Sequence, residues 1–147
     1  MQPSKFFTRE QKARILDAIR TAESDTSGEI RVHAEKHCIG DPTDRAAYLF
    51  EKLGMHKTRM RNGVLIFFTY DDHKLAILGD AGINGVVPGD FWNNILNTMV
   101  DKFRESDFTG GLEKGILMAG TLLKKHFPYK SDDVNELPDE ISFEEKV

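Results

Sequence analysis

The chain has 147 residues, 39% hydrophobic and 30% charged, with a formal net charge of −4, which suits a single soluble domain with its own core. Its longest apolar run, Val64 to Phe68, is far too short to cross a bilayer. Residues 131–147 hold seven acids and one base (−6) and the rest is +2, so no strong basic stripe marks a nucleic-acid binder.

The first helix is predicted from about Arg9 to Glu23, with Thr8 as N-cap and Gln11 completing a capping box. Ile15, Leu16, Ile19 and Ala22 form its apolar stripe. The polar stretch Ser24–Gly28 breaks it. A strand follows from Glu29 to His37, alternating Ile30, Val32 and Ala34 with Arg31, His33 and Glu35. Gly40-Asp41-Pro42 turns the chain, and Thr43 is the predicted cap of a second helix that buries Ala46, Ala47, Leu49, Phe50 and Leu53. Gly54 suits its C′ position.

A basic loop, Lys52 to Arg61, reads as a solvated connection to the second strand, Gly63 to Tyr70. That strand is apolar on both faces, so it should be central and covered by helices on each side. Asp71 to Lys74 is turn-length, and the third strand, Leu75 to Gly79, should return antiparallel. Gly79, Gly82, Gly85 and Gly89 punctuate a loop with no phosphate-binding fingerprint, expected to need positive φ. Asp90 is the predicted cap of a third helix reaching Arg104, with Trp92, Ile95, Leu96, Met99, Val100 and Phe103 on one face. Asp107 or Thr109 caps a fourth helix, Gly110 to His126, whose Gly115, Ala119 and Gly120 should let it lie close to a neighbour. Residues 1–130 form the domain, and the acidic tail 131–147 is expected to be mobile, although Leu137–Phe143 is an apolar–acidic segment able to fold onto a partner or a second copy.

This order predicts an α/β fold: a Rossmann-like three-layer α/β/α sandwich around a small mixed sheet, with the first two strands parallel. Parallel strands share one carboxyl-end rim, where ligands bind in open α/β sheets. Asp41 and Asp44 follow the first strand, Asp71 and Asp72 the second, and Asp107 should be carried to the same rim. Carboxylates gathered there repel one another unless a hard cation sits among them, so Ca²⁺, Mg²⁺ or Mn²⁺ is the expected ligand, and no organic cofactor is expected. Read singly, these acids are helix caps and turn formers. His33 and His37 lack the partners of a zinc site, and Cys38 reads as a small buried hydrophobe.

The pattern resembles the TPM domain, a family named from a thylakoid-lumen phosphatase, a photosystem-repair protein and a receptor-modulating protein. The matching residues are Ser27–Val32, Ala47–Gly54, Asn62–Ile66, Asp71-Asp72, Gly79–Ile83, Phe103-Arg104 with Asp107, and Gly111-Leu112 through Ile116. They span about residues 6 to 127. The resemblance implies the Rossmann-like sandwich, divalent-cation binding and, in the plant branch, acid phosphatase activity; other relatives are assembly modules at membranes. This chain departs from the family's Arg-x-Gly-Asp-Tyr with Arg104-Glu105-Ser106-Asp107-Phe108, and its Asp-Asp-Arg is Asp71-Asp72-His73. Neither a signal peptide nor a membrane helix is read in the sequence, and a lone cysteine fits a reducing compartment, so the expected location is cytoplasmic.

The expected function is a TPM accessory module, non-catalytic, with an acidic cation-binding rim and a protein partner. The alternative is a metal-assisted phosphomonoester hydrolase. There Asp71, Asp72 and Asp107 hold the cation, with Asp41 and Asp44 as further candidates, and Arg104 steadies the phosphate. The oligomeric state is left open.

Overall fold

The computed structural model describes residues 5–129 and 141–143. The run Gly63–Thr69 becomes β2, and all seven of its residues are buried. Such a strand needs cover on both faces and a hydrogen-bonded neighbour on both edges. It has them: β1 (Glu29–Glu35) pairs parallel on one side and β3 (Leu75–Gly79) antiparallel on the other. The register sets Ile30 against Val64 and Ile66 against Ile77.

A fourth strand, β4 (Ile141–Phe143), pairs parallel with the free edge of β1, giving the order β3-β2-β1-β4. From sequence alone these residues belong to a tail expected to be mobile. Ile141 and Phe143 instead pack on the core. The rest of the tail lies outside the described residues.

Helices cover both faces. On one side α1 (Arg9–Glu23), α4 (Phe91–Arg104) and α5 (Phe108–His126) enclose the larger core around Ile19, Val32, Ile66, Phe68, Met99 and Ile116. On the other, α2 (Pro42–Lys52) and a 3₁₀ turn (Met55–Lys57) close a smaller core around Leu49, Met55, Leu65 and Phe67. Three layers result, as predicted. The small residues of α5 act as expected: a Cβ added at Gly115 would lie 2.3 Å from the Met99 sulfur, and one at Gly120 2.5 Å from the Ala22 Cβ.

Three local expectations need correction. The cap of α2 is Asp41, not Thr43: the Asp41 carboxylate accepts the Thr43 N–H at 2.8 Å, and Pro42 fills the first turn, where a missing N–H costs nothing. The side chain of Asp90 caps nothing, while Asp107 does cap α5. The glycine loop contains a short helix, α3 (Ala81–Asn84), and positive-φ glycines among the described residues are Gly40 and Gly54 instead. Gly82 is needed for close approach, because a Cβ there would meet the Met60 carbonyl oxygen at 2.2 Å. The polar side of β1 is buried as well: Glu29, Arg31, His33 and Glu35 are all under 8% exposed.

Candidate functional site

The carboxyl ends of β1 and β2 open onto one rim, and its loops are stitched together by two residues of the β2–β3 turn. Asp72 accepts the Cys38 N–H at 3.0 Å and the Thr69 hydroxyl. Lys74 donates its ammonium to the carbonyls of Cys38 and Gly40 and lies 4.0 Å from Asp72. His73, at φ 55°, supplies the left-handed residue that closes the turn. Nothing in the sequence marks Lys74, whose role depends on a loop 34 residues away. Burial works to raise the Asp72 carboxyl, but the Thr69 hydroxyl, backbone N–H groups and Lys74 outweigh it and hold it below the ordinary carboxylate range.

The five candidate acids do not form a single cluster. Asp41 caps α2, Asp44 lies in that helix's first turn, and Asp71 stands exposed beside Asp72. Asp107 precedes Phe108, which packs on Phe68, Phe103 and Phe6 and whose ring lies 5.6 Å from that of His73. The Asp107 carboxylate accepts the Gly110 N–H at 2.8 Å. It borders a cleft of about 300 Å³ lined by Phe6, Gln11, Arg14, Ser106 and Phe108. Arg14 was missed by the sequence analysis, since only the packing of α1 on α5 brings it there, where it pairs with Glu113. Arg104 lies 3.8 Å from Asp101 on its own helix, both side chains 77% exposed. Among the described residues, no group of three or more His, Cys, Asp and Glu side chains is placed to hold a metal ion.

The end of β1 holds a second constellation. The Glu35 carboxylate is 3% exposed and takes both Arg45 nitrogens, Nε at 3.0 Å and Nη2 at 2.8 Å, and faces His33 Nε2 at 3.0 Å. The other ring nitrogen, Nδ1, is 2.7 Å from the Ser142 hydroxyl of β4. Burial alone would raise the Glu35 carboxyl, but hydrogen bonds and charge from His33 and Arg45 reverse the effect and lower it to about 2. Cys38 lies beside this group, and burial pushes its thiol up, so it stays a thiol at neutral pH. At the opposite rim Asp80 caps α3 and grips Arg61 through two 2.7 Å hydrogen bonds.

The fold and site define a small Rossmann-like α/β/α domain whose carboxyl-end rim is acidic and internally braced. The TPM domain matches residues 1–122, and the chain belongs to that family. Its solved likeness to the BA42 protein of the psychrophilic bacterium Bizionia argentinensis has 47% identity and a TM-score of 0.89, covering 95% of this chain and 97% of that one. The N-terminal domain of a protein from P. gingivalis has 20% identity and a TM-score of 0.69 over 86% of this chain and 84% of that one. An N-terminal domain from Corynebacterium glutamicum has 12% identity and a TM-score of 0.62, over 89% and 82% respectively. These last two share the fold. No curated protein matches the chain. No described helix is long and apolar enough to cross a membrane.

Proposed function

We propose that this protein is a TPM accessory module that binds a hydrated divalent cation weakly at its acidic rim and docks a protein partner, without catalysing a reaction. The observation that carries the reading is the bracing of the rim. Asp72, Asp41 and Asp107 each spend carboxylate oxygens on backbone N–H groups, so they shape loops first. The residues fit an ion that keeps most of its own water and leans on one or two carboxylates, Asp71 with the outer side of Asp72, as Mg²⁺ commonly does. They do not fit a closed cage of all five acids. An ion held this way would offer charge to a partner's carboxylates or phosphates.

The test is thermal unfolding of chelator-stripped protein with Ca²⁺, Mg²⁺ and Mn²⁺. At ~100 times its dissociation constant an ion adds about 2.7 kcal/mol. The shift should disappear in Asp71→Asn, a better probe than Asp72→Asn because the side chain that ties the Cys38 N–H and the Thr69 hydroxyl is that of Asp72. No shift with any ion removes the cation from the reading. The phosphatase alternative draws on Arg104, whose loose pairing with Asp101 leaves its guanidinium open to a phosphate. Turnover of an aryl phosphate that is abolished by chelator and by both Asp71→Asn and Arg104→Ala would replace the non-catalytic reading.

A further inference from the structure

The strand β4 is an unusual way to finish a sheet. It pairs with three of the seven residues of β1, Val32 with Ile141, His33 with Ser142 and Ala34 with Phe143, and all three of its residues remain partly exposed. Eleven residues of sequence separate it from Tyr129. So short a strand at a sheet edge opens at low cost, and what it leaves behind is a template for another extended chain.

The edge reads side chains on both faces. Ile141 and Phe143 turn toward the larger core, where the Lys12 ammonium lies 5.4 Å from the Phe143 ring centroid. Ser142 turns the other way, to His33 Nδ1 at 2.7 Å, and its hydroxyl also lies 3.3 Å from the Val32 carbonyl oxygen. His33 is 4% exposed and cannot reorient freely, because Glu35 fixes its second nitrogen and Arg45 fixes Glu35. The series Arg45–Glu35–His33 is therefore a rigid reader of a hydroxyl at the central position. In the sequence that tripeptide is flanked by Asp139, Glu140, Glu144 and Glu145.

We propose that the β1 edge is a peptide-docking groove in which Ile141–Phe143 acts as a built-in competitor, and that its outside occupant is an extended segment of a partner protein: aliphatic, serine or threonine, aromatic, with acidic neighbours. The partner adds a parallel strand to β1 by displacing β4, so main-chain hydrogen bonds supply affinity and alternate side chains supply selection. This deepens the docking reading above and rests on it. It shares no residue with the cation test, so the two fail separately.

The probe is a fluorescein-labelled peptide of residues 136–147, added to the full chain and to the full chain carrying Ile141→Asp and Phe143→Asp. A tethered competitor acts at about millimolar effective concentration, so the vacated variant should bind the peptide at least tenfold more tightly than the unaltered chain. Amide resonances of Val32, His33 and Ala34 should shift on binding. A peptide with Ser142→Ala should bind about fivefold more weakly, the loss of one hydrogen bond. If the double variant fails to fold, Phe143→Ala in the full chain carries the same comparison. No binding to the vacated edge at millimolar peptide, or binding that leaves those three amides unmoved, overturns the proposal. So does self-association of the unaltered chain that Ile141→Asp with Phe143→Asp abolishes, because the occupant is then a second copy.

Discussion

Replacing Glu35 with glutamine should cost stability in a way that depends on pH, and the structure sets both size and window. The carboxyl titrates at about 2 in the folded protein against 4.5 ordinarily. At 1.36 kcal/mol per pH unit, ionised Glu35 contributes about 3 kcal/mol at neutral pH. A carboxyl whose folded value is depressed stabilises the protein above the unfolded value and loses that contribution as pH falls through the folded one. The contribution should be complete above about pH 5, about 1.4 kcal/mol at pH 3 and under about 0.5 kcal/mol at pH 2. Glu35→Gln keeps the side chain's shape but strips the charge that His33 and Arg45 face, so the gap between the two proteins should follow this curve. Urea unfolding of both at pH 7, 4 and 3 measures it. A gap that stays constant with pH, or is below about 0.5 kcal/mol at pH 7, would refute the assignment of Glu35 as the buried charge of this group.

Gly82→Ala should lower stability by about 2 kcal/mol or more, since its Cβ lands 2.2 Å from a backbone oxygen, whereas Gly89→Ala, with nothing within 4 Å, should be close to neutral. Melting temperatures measure the contrast, about 2–4 °C per kcal/mol for a chain of this size. Arg61→Ala leaves Asp80, whose side chain is 4% exposed, without its guanidinium, and should cost about 1–3 kcal/mol. Burial acts to raise the Asp80 carboxyl but Arg61 and the α3 N-terminus hold it low, so this penalty should be full at neutral pH and fade in acid denaturation series. Cys38 should react with a disulfide reagent at least ~100-fold more slowly in the native protein than in urea, because it is 6% exposed and its thiol is pushed up.

Much of this architecture was written in local pattern. The capping box Thr8/Gln11, the double-sided apolar run of β2 and the turn-length Asp71–Lys74 each act within a few residues, and each appears in the structure as read. The loops that carry Asp41, Asp44, Asp71 and Asp72 were read to one rim, since parallel strands force the loops after β1 and β2 to the same side. That Asp72, Asp41 and Asp107 would each accept a backbone N–H was not legible. Each carboxylate chooses between a cation and a nearby backbone N–H, and that choice turns on distances of a few ångströms between loops.

The sequence by itself determined the central sheet and its layers, because hydrophobic period and turn length are properties of contiguous residues, and the order of its short motifs pointed by resemblance to the family. Tertiary structure decided the rest. Only packing shows that the buried Glu35 carboxylate meets His33 and Arg45, that Lys74 reaches back to the loop after β1, and that Ile141–Phe143 joins the sheet. The three β4 residues carry too little pattern to announce a strand; the unpaired edge of β1, far away in sequence, makes them one.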